Sequence, residues 1–385
     1  MSLDIVFNLV VWGPKYINWF CEYSLVSMLS KNNLPSIHFN EHSRFQIITT
    51  KVDWLYLQNN KNFHKLQNLI KVDFINIIDV ADESDLTESQ KYSVMSKGQC
   101  ITLQDSFNFD VIFWLYADLI WSDGSIKKAL NHLYSNKEAV FSPGPICEFE
   151  NVKKFLKRNK ISISRNQLTG KKLVSLALNS MHNISKNNFA SNPYVSITPS
   201  YRLWKLDNNG FIMHNFHLHM VCHKTNFIKK RGINKFEGSL DGDLIPLLYD
   251  SLLNLHITKG EDDVFFISLA EEYDQDLTFD ENSPKNVAAW AEKHTQHIHK
   301  LFYSKYIVFK FSKLKKFSLI DELKNCEQFI FEVDKFLMLP DLLKYNLNFK
   351  GFIGRLEKVS SMLKPPNLIE LKDKILKILK AVGIL

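Results

Sequence analysis

The chain has 385 residues, 45% of them hydrophobic and 23% charged, a composition that excludes a disordered or fibrous protein and allows a core spread over two or three domains. Its formal charge of +7 is gathered at the end, where the residues from Lys313 onward carry fourteen Lys and Arg against nine Asp and Glu. Five scattered cysteines with no C-x-x-C pair argue against a disulfide framework or a cysteine zinc site and fit a reducing cytoplasm.

In chain order, Ile5 to Trp12 reads as a strand, Tyr16 to Leu29 as a helix, Phe45 to Thr50 as a strand and Trp54 to Leu69 as mostly helix. Phe74 to Val80 repeats the strand pattern, Thr87 to Phe107 the helix, Val111 to Tyr116 the strand, Ile126 to Tyr134 the helix, and Ala139 to Ser142 a short strand. This alternation predicts an α/β fold with a mostly parallel sheet and helices on both faces. Residues 146–200 are less regular, with one helix expected from Lys171 to Ser185. Strands are expected at Tyr201 to Trp204 and Phe211 to Val221, and helices at Gly242 to Leu255 and Val264 to Glu272. The division is into residues 1–145, 146–312 and a helical appendage, 313–385. In the last segment of that appendage Leu368, Leu371, Ile375, Leu379 and Val382 form one stripe and Lys372, Lys374, Lys377 and Lys380 the other side. Such helices suit docking, a homodimer or peripheral contact with an anionic membrane; nucleic acid is not expected as a partner, since no DNA- or RNA-binding signature is present. MSLDIVFNLVVW is acidic where a secretory signal is basic, and no run approaches the roughly 18 apolar residues of a membrane span. The expected location is the cytoplasm or the inner face of the membrane.

The segment richest in chemical information is DVIFWLYADLIWSDGS, residues 110–125. Val111 to Leu115 is apolar throughout, as in a strand buried on both faces. Asp118 then falls just beyond the carboxyl end of that strand, where open α/β sheets bind ligands. A carboxylate there can hold a divalent cation against a diphosphate, and the alternative is a solvated strand end. Further on, His214, His217 and His219 alternate, placing His217 and His219 on one face if they lie on a strand. With Asp241 and Asp243 they form a polar cluster that could complete the ligand set around Asp118, or could serve as hydrogen-bonding packing groups. His294, His297 and His299 lie on an expected helix and read as structural. There is no Walker loop, G-x-S-x-G elbow, kinase signature or H-E-x-x-H pair.

Taken in order, VVWGPKY with SLVSMLSKNNLP, then RFQIITTKVDW, then FWLYADLIWSDGS resemble the first strand and nucleotide loop, the second strand and base-approaching turn, and the metal-motif strand of GT-A nucleotide-sugar glycosyltransferases. The similarity is to poorly described bacterial members and covers about the first 140 residues. It implies a sugar transferred from a nucleotide-diphosphate donor to a glycan or lipid-linked acceptor. Gly13 and Tyr16 would border the donor, Thr50 and Asp53 approach the base or ribose, and Asp118 hold the diphosphate through Mn²⁺ or Mg²⁺. The D-x-D motif is incomplete, reading Tyr116-Ala117-Asp118; His217 and His219 could supply ligands, or Lys15 and Lys97 could neutralise the diphosphate without metal. Gly260-Glu261-Asp262-Asp263 is similar to the G-E-D-D segment of inverting members. By position Asp262 would be the general base, flanked by Glu261 and Asp263; the alternative is an acidic first turn of a helix. Rival readings are a sugar nucleotidyltransferase, disfavoured by the poor Gly13-Pro14-Lys15 loop, and a carbohydrate-binding or scaffold protein without catalysis.

Overall fold

The computed structural model describes residues 3–344, apart from 88, 164–167, 273–277 and 314–315. Its main sheet contains β1 (Ile5–Val10), β2 (Arg44–Thr49), β3 (Lys71–Asn76), β4 (Val111–Leu115), β6 (Ala139–Ser142), β11 (His219–Lys224) and β12 (Leu255–Ile257). The spatial order is β12-β6-β11-β4-β1-β2-β3. All neighbouring pairs are parallel except those of β11, which runs antiparallel to both β4 and β6. This is the mostly parallel α/β sheet predicted from the alternating pattern.

β1 and β4 are buried along their whole length, because helices cover both faces of the sheet. Phe7 of β1 pairs in register with Phe45 of β2 and Phe113 of β4, and its ring lies 5.7 and 5.0 Å from theirs. The polar centre of β1, Asn8, donates to Thr102 Oγ1 at 2.7 Å, and Thr102 donates to Gln46 Oε1 at 2.7 Å. The helix Lys91–Gln104 that supplies Thr102 lies so close to β1 that a Cβ on Gly98 would come within 2.9 Å of Val10.

Three smaller sheets complete the fold. β5 (Leu119–Trp121), β13 (Phe266–Ala270) and β7 (Ile146–Glu148) form one, with β13 in the middle. β9 (Tyr201–Leu206), β10 (Gly210–Asn215) and β15 (Ile307–Lys310) form another, and β8 (Tyr194–Ser196) pairs with β14 (Phe279–Glu281). Residues 1–145 and 146–312 are therefore interlaced, since β11 and β12 join the main sheet and β13 lies between β5 and β7.

Two expectations are corrected. Val264 to Glu272, read as a helix, contains the strand β13; a short apolar run fits either state, and here β5 and β7 flank it as strands. The expected helix from Gly242 to Leu255 is a short π-to-α segment, Leu240–Leu248, and Leu255 begins β12. Trp54 to Leu69 divides at Asn60, whose side chain caps the second helix, Lys61–Gln67. Of the appendage, the helix Lys316–Lys344 is described. Its Cys326, Ile330, Val333 and Leu337, at helical spacing, pack with Trp204, Ile212 and Val287. The predicted amphipathic stripe from Leu368 to Val382 lies outside the described residues. Among the described residues, no helix is long and apolar enough to cross a membrane.

Candidate functional site

The chain winds outward from β1 through β2 to β3, then returns to place β4 on the other side of β1. The loops leaving β1 and β4 diverge at that reversal and leave a crevice at the carboxyl ends of the two strands. A cavity of about 490 Å³ occupies it, lined after β1 by Val10 to Tyr16 and after β4 by Tyr116 to Leu119. Lys91, Met95 and Gln99, His219, Ser268 and the segment Gly238–Asp241 line it from other sides.

Asp118 is held in this cavity by the hydroxyl of Ser268, which donates to its Oδ2. Its own carbonyl accepts from the Leu269 amide at 2.9 Å, so β13 fixes both ends of the residue. Burial raises its carboxyl above the ordinary range, against the lowering effects of the Ser268 bond and of His219 and Lys91. A desolvated carboxylate of this kind gains from a cation in the cavity.

The loop after β1 is set by Gly13, at φ 81° and ψ 150° immediately before the helix Pro14–Trp19. Its amide donates to Asp53 Oδ2 at 2.9 Å, and Thr50 Oγ1 donates to the same oxygen at 2.8 Å. Thr50 also caps the helix Lys51–Gln58. Thr50 and Asp53 are thus brought to the back of the glycine loop, with neither lining the cavity itself. Tyr16 faces the cavity, and Lys15 lies 4.7 Å above its ring and 3.6 Å from Glu271.

Lys97, expected near the diphosphate, is exposed and pairs with Asp85 at 3.4 Å. The helix presents Lys91, Met95 and Gln99 to the cavity instead, at i, i+4 and i+8, and Lys97 falls on another face. His217 and His219 do not share a strand face: Phe216 to Leu218 bend the chain between β10 and β11. His219 begins β11 and lines the cavity, whereas His217 packs 4.6 Å from the ring of His299 and 5.8 Å from Trp290. Burial lowers the His217 imidazole below its usual value, although Asp241 and Asp243 oppose this. His214 is buried on β10 and bonds the Tyr303 carbonyl at 2.8 Å, the packing role that had stood as its alternative.

Asp241 reaches the cavity and Asp243 does not. Asp243 Oδ2 accepts from the Ser239 amide at 2.7 Å and so closes the turn that presents Asp241. His299 supports the same turn through a 2.8 Å bond to the Asp241 carbonyl.

The acidic motif sits elsewhere. Asp262 is exposed, Glu261 is buried and accepts from the Lys310 amide at 3.0 Å, and Asp263 lies between two histidines. None of the three lines the cavity. The segment is anchored to the β15 side by a bridge between Gly260 and Val308, and a strand rather than a helix follows it. The segment is therefore not the first turn of a helix. Lys91, Gln99 and Ser268 escaped the sequence reading. The first two were legible as one stripe of a predicted helix; Ser268 required β13 to be read as a strand.

No family model matches the sequence, and no curated protein matches it. Among solved structures, mouse xyloside xylosyltransferase 1 in its apo form aligns at 11% identity over 42% of this chain and 60% of its own, with a TM-score of 0.25. TarS of S. aureus aligns at 13% identity over 88% of this chain and 51% of its own, with a TM-score of 0.34. The 1-349 form of TarS aligns at 10% identity over 88% of this chain and 84% of its own, with a TM-score of 0.32.

Proposed function

We propose that the chain is a glycosyltransferase that holds a nucleotide-diphosphate sugar in the cavity between β1 and β4 and passes the sugar to a glycan or lipid-linked acceptor. The observation that carries this reading is the position of Asp118, buried in a cavity at the point where the sheet reverses its winding. The GT-A resemblance of the first 140 or so residues agrees with it.

The donor set suits a hard divalent cation. Asp118 supplies a desolvated carboxylate and His219 an imidazole, both facing one cavity. In this assignment Asp118 and His219 hold Mn²⁺ or Mg²⁺, which when bound neutralises diphosphate charge. Lys91 and Lys15 also line the cavity and would add positive charge toward a leaving diphosphate. Gly13 brings the chain close to the nucleotide, and Asp53 and Thr50 act as positioning residues that fix the glycine loop from behind.

A hydroxyl attacking an anomeric carbon must lose its proton as the new bond forms, and a nearby carboxylate takes it. Asp262 lies outside the cavity, so we assign that role to Asp241, presented on the wall by the Ser239–Asp243 turn. Inversion at the anomeric carbon follows from a base on the acceptor side with no covalent intermediate. The test is transfer kinetics with the nucleotide sugar that most raises the melting temperature in Mn²⁺. Asp241→Asn is expected to lower kcat by about 10²-fold to 10⁴-fold while donor affinity stays within about threefold. Undiminished kcat, or a product that keeps the donor's anomeric configuration, would overturn the assignment.

A further inference from the structure

Away from the cavity, three side chains from distant parts of the sequence converge. His132 lies in the last turn of the helix Ser125–Tyr134, His256 in the middle of β12, and Asp263 in the loop before β13. His132 Nε2 lies 2.8 Å from Asp263 Oδ1, and His256 Nε2 lies 2.8 Å from Asp263 Oδ2. The imidazoles stack with centroids 3.4 Å apart and 18° between their planes. One ligand atom from each residue falls within 4.8 Å of the others, a trio that is unique among the described residues.

We propose that His132, His256 and Asp263 bind one divalent cation of the zinc class, clipping the helix Ser125–Tyr134 to β12 and to the 260–263 loop. Two imidazoles and a carboxylate are borderline ligands that favour Zn²⁺ or Co²⁺ over Mg²⁺. A tetrahedral ion with arms of about 2.1 Å sets its donors about 3.4 Å apart, a spacing that ligand atoms lying within 4.8 Å of one another reach by small side-chain rotations. Binding uses the Nε2 lone pair of each imidazole, so the proton that Nε2 shares with Asp263 leaves to Nδ1 or to solvent, and no oxidant or further reactant is needed. Water can fill the fourth position, because the His132 side chain is 29% exposed while His256 and Asp263 are 7% and 14% exposed.

Asp263 is held in place before any ion arrives. Asp263 Oδ2 also accepts from the Lys259 amide at 3.1 Å. The next carbonyl, Val264, accepts from Ser142 and Thr258 hydroxyls at 2.7 and 2.8 Å. Both Nε2 atoms face the same carboxylate, so rotation of the two rings about their Cβ–Cγ bonds brings their in-plane lone pairs onto one point beside it.

The test uses the full chain stripped with a chelator. Zn²⁺ is titrated by calorimetry and Co²⁺ by visible absorption, readouts that do not depend on sugar transfer in the cavity. In the Asp118→Asn background, which removes the carboxylate assigned to the cavity cation, the chain is expected to bind one Zn²⁺ and to give the absorption of tetrahedral Co²⁺. Asp263→Asn removes two charge-assisted bonds and could unfold the loop, so the half-exposed His132→Gln, checked for fold by circular dichroism, is the deciding variant. It is expected to bind Zn²⁺ at least tenfold more weakly and to lose the Co²⁺ band. Absence of saturable one-to-one binding in Asp118→Asn, or unchanged binding when His132→Gln is added to it, would refute the site.

Discussion

Replacing Asp118 by Asn separates burial from binding, because the two effects have opposite signs. Burial raises the carboxyl of Asp118, so its ionised form is less favourable folded than unfolded. The folded state then binds the proton more tightly, and stability falls as pH rises from the unfolded value through the folded one. At neutral pH the ligand-free wild type carries that cost, and Asn, which still accepts from Ser268, does not. Unliganded Asp118→Asn is therefore expected to be as stable as the wild type or more so. Binding moves the other way: a lost charge-assisted contact of about 2 kcal/mol corresponds to roughly 30-fold in affinity. With nucleotide and Mn²⁺ at about 100 times the wild-type Kd, ligand stabilises the wild type by about 2.7 kcal/mol and a 30-fold weaker variant by only about 0.9 kcal/mol. Urea denaturation with and without ligand reads both numbers on one protein. A full wild-type ligand effect in Asp118→Asn, or a marked loss of stability without ligand, would refute the placement of a cation on this carboxylate.

Two further outcomes follow from packing and titration. Gly170 opens the helix Gly170–Ser180, and an added Cβ would lie 1.8 Å from the carbonyl oxygen of Glu261; because backbone meets backbone, Gly170→Ala should cost at least about 3 kcal/mol in urea denaturation. Burial acts to raise the Asp263 carboxyl, but the hydrogen bonds and charges of His132 and His256 outweigh it and hold the group far below its ordinary range. The unfolded chain thus binds the proton more readily, and the stability that Asp263 contributes is present above about pH 4 and lost as the pH falls further. The stability gap between wild type and Asp263→Asn should therefore narrow in acid, and a gap that widens would contradict the ion-pair geometry.

The parts of the fold legible in the sequence were those fixed by local pattern. Val111 to Leu115 admits little but a doubly buried strand, and a carboxylate three residues beyond it has to emerge at the sheet's carboxyl edge. Gly13, Tyr16 and Asp118 reached the cavity for that reason. What failed was non-local. Phe266 to Ala270, read as part of a helix, is a strand because β5 and β7, more than 100 residues away in sequence, flank it. Asp262 missed the cavity because Gly260 and Glu261 are tied to Val308 and Lys310, a connection absent from the motif's own residues. The His217–His219 pair separated at a bend that alternation alone does not reveal. Lys97 shows the reverse case, since the helix was predicted and its phase already pointed Lys91 and Gln99, not Lys97, along one stripe.

The cavity and the histidine-flanked carboxylate are joined by a single stretch of chain. Asp263 precedes β13, and Ser268 within that strand donates to Asp118. Five residues of chain separate Asp263 from Ser268, a reach of at most about 17 Å, and no side chain bonded to Asp263 is also bonded to Asp118. Sites so separated contribute independently to stability unless the intervening element shifts as a unit. β13 is braced on both edges, by Trp121 and Ile120 of β5 and by Cys147 and Glu148 of β7, which opposes such a shift. The effects of Asp118→Asn and Asp263→Asn, opposite in sign, should then sum in the double variant to within about 0.5 kcal/mol in urea denaturation. A coupling above about 1 kcal/mol would mean that β13 slides between two registers and that the two sites report on one motion.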